Sequence, residues 1–217
     1  MNLGEADYNG LQTQITYRGM SRLYASLSYT LSKATNTTEP DGNGIGPNDS
    51  NIARLGEVER GPSVLDQRHR AVFMLSYQLP LNITAGTLMQ YASARPFNAT
   101  TGIDNNGDGA NNDRPVVNGE VMRESAFRGT PTSDLGAFIE GRLRQSSFGT
   151  VVLRLEGFNL LNHGNYLGRG QTVYGDTGTP NPTFGQLVAA GTASNALPAF
   201  ANVDPPRMFQ FEVRFIF

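Results

Sequence analysis

Arg207-Met208-Phe209-Gln210-Phe211-Glu212-Val213-Arg214-Phe215-Ile216-Phe217 closes the sequence. Successive side chains of a β-strand point to opposite faces. Read as a strand, this stretch puts Phe209, Phe211, Val213, Phe215 and Phe217 on one side. Met208, Gln210, Glu212, Arg214 and Ile216 fall on the other. A soluble protein must cover such an oily flank with a core, and a free edge invites pairing with other chains. The wall of a membrane barrel offers lipid to the oily flank and water to the polar one.

Six earlier segments share the pattern. Leu11, Thr13, Ile15 and Tyr17 oppose Gln12, Gln14, Thr16 and Arg18. The cleanest case sets Leu23, Ala25, Leu27, Tyr29 and Leu31 against Tyr24, Ser26, Ser28, Thr30 and Ser32. The others follow from Ala71 to Leu79, Ile83 to Tyr91, Leu135 to Leu143 and Val151 to Phe158. This period of two predicts seven strands and an all-β chain.

The connections alternate as well. Gly19-Met20-Ser21-Arg22, Pro80-Leu81-Asn82 and Gln145-Ser146-Ser147-Phe148-Gly149 are of hairpin length. Ala34 to Asp66, Arg95 to Ser133 and Leu161 to Pro206 are long and read as structureless. Short turns alternating with long loops are the rhythm of an outer-membrane barrel, whose tight turns are periplasmic and whose large loops are extracellular. The prediction is an antiparallel up-and-down transmembrane barrel segment, residues 1–217 supplying about seven strands. Seven is odd and below the smallest natural barrel of about eight strands, so the segment is expected to be incomplete by itself. Alternation alone also suits a soluble β-sandwich, as in a surface module binding glycan or matrix. The loop rhythm and the aromatic terminus favour the membrane wall.

Composition sets limits. Hydrophobic residues make up 38% and charged residues 17%, with a formal net charge of -2. That balance gives no reason to expect nucleic-acid binding, which needs a basic patch. The absence of cysteine excludes disulfides and thiolate metal sites. No apolar run reaches the roughly 18 to 20 residues of a spanning helix, whereas a barrel strand needs only about 9 to 11. Met1-Asn2-Leu3-Gly4-Glu5-Ala6-Asp7 has neither a basic region nor an apolar stretch. It is therefore not expected to be an export signal, and the chain is expected to be part of a longer protein.

Asp104-Asn105-Asn106-Gly107-Asp108-Gly109 matches the first half of a calcium loop. Asp104, Asn106 and Asp108 would supply oxygens at alternate positions, and Asn112 and Asp113 further ones. The twelfth position is Pro115, not the bidentate Glu of an EF-hand. The stronger reading is an exposed turn, since Asn, Asp and Gly tolerate left-handed backbone. Beyond this structural calcium, no cofactor is expected. Asp66-Gln67-Arg68-His69-Arg70 reads as a charged strand end at the rim, with contact to ligand or to lipid phosphates as the functional alternative. His69 and His163 have no metal-like spacing. Glu140 and Arg142, Arg154 and Glu156, and Glu212 and Arg214 fall on polar faces, where charge ladders along a wall explain them better than acid–base catalysis. There is no nucleophile elbow, phosphate-cradling loop or zinc signature, and an enzyme is not expected.

Several strings occur together and in order: Ser28-Tyr29-Thr30-Leu31-Ser32-Lys33-Ala34, Asp66-Gln67-Arg68-His69-Arg70, Asn106-Gly107-Asp108-Gly109 before Asn112-Asp113-Arg114-Pro115, Glu156-Gly157-Phe158-Asn159-Leu160-Leu161-Asn162-His163, and the aromatic terminus. The set resembles the C-terminal end of TonB-dependent outer-membrane receptors, in particular the Oar-like group with a carboxypeptidase-regulatory-like N-terminal domain. The resemblance implies a barrel of about 22 strands around a plug. It implies import of an unknown scarce solute across the bacterial outer membrane, energised through TonB. TonB would act only through an N-terminal part, with the plug, that lies outside this sequence. The other partners implied are the remaining strands of the receptor, outer-membrane lipid and the barrel assembly machinery. That machinery would read the terminal Phe217, with Phe215, as the assembly signal.

Overall fold

The computed structural model describes residues 5–19, 22–37, 60–104, 113–145, 149–165, 182 and 206–217. Seven long strands form one sheet: β1 (Ala6–Gly19), β2 (Leu23–Asn36), β4 (His69–Leu79), β5 (Ile83–Ala92), β10 (Thr132–Gln145), β11 (Gly149–Phe158) and β12 (Met208–Ile216). They lie in the order β1-β2-β4-β5-β10-β11-β12, each long strand antiparallel to the next, and a short β3 (Gly61–Pro62) joins the outer end of β2. No described residue is helical. The up-and-down antiparallel arrangement is the one the alternation predicts.

Register carries the two faces across the whole sheet. One row of partners runs Gly19, Leu23, Tyr77, Ala85, Ile139, Leu155 and Phe211. The next row outward runs Tyr17, Ala25, Leu75, Thr87, Ala137, Gly157 and Phe209. Between these rows lies the mixed row Tyr24, Ser76, Gly86, Phe138, Glu156 and Gln210, and on the periplasmic side of the first lies the polar row Gln78, Thr84, Glu140, Arg154 and Glu212. A slip of one residue in any strand would turn its oily set to the wrong side.

The oily side is uncovered. Leu11 and Ile15 are each 63% exposed, and Phe209, Phe211 and Phe215 are 64% or more. Among the described residues the buried hydrophobic side chains are only Phe97, Ala99 and Val152. A sandwich would bury the same Leu, Val and Phe flank between two sheets about 10 Å apart. Among the described residues nothing of that kind faces this sheet, so the glycan-binding sandwich falls away and the flank is a hydrocarbon-facing surface.

The periplasmic strand ends are staggered in one direction. The β1–β2 pairing ends at Gly19 and Leu23, and Leu23 is level with Tyr77; β4 runs two residues further, to Leu79 opposite Ile83. Ile83 is level with Gly141, and β10 continues four more residues to Gln145 opposite Gly149. At about 3.3 Å per residue and 4.8 Å per strand, that drop of six residues over four strand spacings corresponds to a tilt of roughly 45°, as barrel walls require. The sheet is not closed, and β1 and β12 are its two edges.

Three strands exceed the sequence expectation. β1, β2 and β10 are each 14 residues long. In β1 and β2 the oily face turns polar at the paired Asn9 and Lys33, one row outside the paired Leu11 and Leu31. The hydrocarbon boundary lies between those rows, and the rest of the hairpin stands in water above it. Tyr29 sits just inside that boundary with its ring stacked on His69 and its hydroxyl 2.7 Å from Nδ1, the placement expected of interfacial aromatics. At the periplasmic end, Gly149 has φ +118, and a Cβ there would lie 2.2 Å from the Ile216 carbonyl oxygen, so only glycine fits beside the last strand.

Leu27 and Ser28 are neighbours in mid-β2 on opposite faces. Leu27→Arg is expected to cost roughly 2 to 4 kcal/mol in a bilayer, and Ser28→Arg far less. Urea unfolding in vesicles checks this, and equal costs at both positions would contradict the assignment of faces.

Candidate functional site

The polar face and the outer loops hold the chemistry, and two clusters are built there. The first is an ionic ladder on the inner wall. Register sets Arg154 between Glu140 on β10 and Glu212 on β12. Arg154 lies 2.9 Å from Glu156 and 3.6 Å from Glu140. Arg142 pairs with Glu140 at 3.2 Å and Arg214 with Glu212 at 2.6 Å. The Arg154 guanidinium also sits 4.1 Å from the centre of the Phe138 ring, a cation–π contact. That ring occupies the space over Gly86, where a Cβ would come within 2.5 Å of it. The charge ladder foreseen along the wall is therefore present, with an aromatic and a glycine beneath it.

The second cluster is the outer mouth. Asp66 is fully buried and joins three parts of the chain. Its Oδ1 accepts the Ala34 backbone N–H of β2 at 2.8 Å. Its Oδ2 accepts Arg68 Nε at 3.0 Å and Arg128 Nη2 at 2.5 Å. Arg128 also donates to the Ala94 carbonyl at 2.9 Å. Burial alone would raise the Asp66 pKa, but the Ala34 N–H and the Arg128 and Arg68 guanidiniums outweigh it and hold the carboxyl below its ordinary value. The solvated strand end expected here is thus corrected: Asp66 is a buried clamp between the first and second long loops.

The second long loop is not structureless either. β6 (Pro96–Phe97) pairs with β9 (Phe127–Arg128), and β7 (Val116–Val117) with β8 (Glu120–Val121). The β7–β8 turn is Asn118-Gly119 with φ 54 and 83, the preferred two-residue hairpin turn. Phe97 and Phe127 pack with ring centres 5.6 Å apart, Ala99 is buried near them in sequence, and Arg114 donates to the Met122 carbonyl. This small core forms a cap on the outer end of the wall. This cap was not foreseen from the sequence; Asn118-Gly119, between Val116-Val117 and Glu120-Val121, is the signal that could have found it.

Of the calcium candidates, Asn106 and Asp108 lie outside the described residues. Asp104 is described, and Asp113 is wholly buried with its carbonyl accepting the Thr101 N–H at 2.6 Å. Among the described residues no three acidic or histidine side chains gather as a metal site. His163 belongs to a turn lock: Asn159 bonds both its N–H and its carbonyl, and its Nδ1 lies 2.9 Å from Asn165 Oδ1. Asn165 in turn holds the Ser133 backbone on both sides, and Asn162 receives the Arg207 N–H. The string Glu156 to His163 thus ties the exit of β11 to β10 and β12. Phe215 and Phe217 stand exposed on the lipid side, 64% and 101%.

On the inner face at the mouth, the ends of β1 and β2 and the chain before β4 enclose a cleft of about 340 Å³. Tyr8, Ser32, Ser63, Leu65, Gln67 and Arg70 are among its lining residues.

A family model described as an outer membrane beta barrel domain matches residues 1–150, from β1 to the start of β11. No curated protein and no solved structure matches the chain.

Asp66→Asn is expected to remove about 3 kcal/mol of loop stability, since two guanidiniums lose their buried partner. Limited proteolysis of the outer loops reads this as faster cleavage. Because the native carboxyl pKa is depressed, its contribution is full above the unfolded value of about 3.9 and fades as pH falls through the lower native value. Protection in the unsubstituted protein should therefore persist at pH 5 and weaken only below about pH 4; loss between pH 7 and 5 would contradict the clamp.

Proposed function

The chain belongs to the outer membrane beta barrel domain family, and from that premise we propose that it is wall and mouth of a TonB-dependent receptor importing a scarce solute. The observation that carries this is the cap of β6 to β9, clamped through Asp66 to the chain segment that also lines a cleft on the inner face. A barrel that served only as a passive sieve or an anchor has no need of a folded outer layer bonded to the wall beneath it. A folded outer cap near a lumen-facing cleft suits capture of a dilute solute before it passes inward. The ordered strings that resemble the C-terminal end of such receptors support the same reading.

Backbone groups in hydrocarbon must be satisfied within the protein. The outward edges of β1 and β12 therefore call for further strands, and in this proposal they come from the rest of the receptor. The inner ladder of Arg142, Arg154, Arg214 and their glutamates would face the plug, through which TonB acts.

Import is tested by following solutes removed from the medium, by mass spectrometry, in cells with and without the gene and with TonB intact or inactive. A solute depleted only when gene and TonB are both intact supports the proposal. Depletion indifferent to TonB overturns it. Phe217 is proposed as the assembly signal. Phe217→Ala in the full-length protein is expected to lower the fraction that becomes heat-modifiable in the outer membrane, and an unchanged fraction would remove that role.

A further inference from the structure

Most cations at the mouth already have anions. Asp66 holds Arg68 and Arg128. Asp7, which lines the cleft, is paired with Arg60. Arg70 and Arg95 stand apart from this pattern. Among the described residues neither has an ion pair, and Nε of Arg95 is buried with no hydrogen-bond partner. Arg70, the second residue of β4, is on the inward parity, paired with Thr30 on β2 and Ala92 on β5, and lines the cleft. Arg95 follows three residues after Ala92. Gln67, also in the cleft lining, donates to the Ser93 carbonyl at 3.4 Å and ties that segment to the cleft wall. Burial, and then the nearby charge of Arg70, lower the pKa of Arg95.

A partly desolvated guanidinium that feels the charge of a second one is unfavourable, and a bound anion relieves it. A guanidinium presents a planar fork of donors that matches carboxylate and phosphate oxygens. We propose that the cleft is an anion site in which Arg70 contacts, and Arg95 supports, a carboxylate or phosphate of the captured solute. The proposal rests on reading this wall as part of a solute receptor, and it gives that solute a negative charge. Tyr8, Ser32 and Gln67 surround the anion with hydroxyl and amide groups, and Leu65 supplies an apolar contact. The inward parity of Arg70 favours a soluble anion over the phosphates of outer-leaflet lipid, which lie on the other side of the sheet.

The test uses the full-length protein purified from outer membranes into phosphatidylcholine vesicles, with citrate and inorganic phosphate as probes and choline as the cationic control. Calorimetry should show saturable binding of citrate or phosphate and none of choline. Arg70→Gln should raise Kd about tenfold or more, the loss of a hydrogen bond to a charged group. Arg95→Gln should raise it less, and Arg22→Gln at a periplasmic turn should leave it unchanged. Phenylglyoxal labelling of the unsubstituted protein needs no variant: citrate or phosphate should slow modification of Arg70. Absence of binding, or no protection of Arg70, overturns the site. Protection by lipopolysaccharide alone overturns the soluble anion as its ligand. These readouts need neither TonB nor an energised membrane. Binding without TonB-dependent uptake would sink the import reading and keep the site, and the reverse result would sink the site alone.

Discussion

Hydrocarbon offers no hydrogen bonds, and this single constraint organises the whole chain. Every backbone N–H and C=O at membrane depth must find its partner on the next strand. Seven strands in one antiparallel ladder meet that demand everywhere except at the outward sides of β1 and β12. The same ladder fixes register, and register keeps Leu27, Phe73 and Met89 in one oily row while Ser28, Val72 and Gln90 face inward beside it. Stability in water would require a second layer over the oily row. In the outer membrane the lipid is that layer, and so a sheet with almost no buried hydrophobic side chains is a finished surface.

The strands and their faces were legible because alternation is a local signal and each strand carries it independently. Strand ends were not. Beyond Leu31 the outward positions become Lys33 and Thr35, so the hydrophobic contrast that marks a strand in lipid vanishes once β2 rises into water, though the ladder continues to Asn36. The cap was missed for a related reason. Its four strands are two residues each and too short for any period, and only Asn118-Gly119 announced a turn.

The clamp was less legible still. Asp66 and Arg128 are 62 residues apart, and no spacing rule connects them. A charged string such as Asp66 to Arg70 reads as a solvated strand end when its partner is out of sight. The residues of the string also part company in space: His69 turns outward to Tyr29 while Arg70 turns into the cleft. Period two explains the division once the strand begins at His69. The string from Glu156 to His163 proved structural, with its asparagines bonding backbone to close one strand and start another.

The inner ladder carries one more consequence. Its three arginines and three glutamates cancel, so this stretch of the inner wall carries little net charge. Long-range attraction of a charged molecule is therefore not supplied by these six side chains. Any discrimination by charge must then come from elsewhere than this ladder.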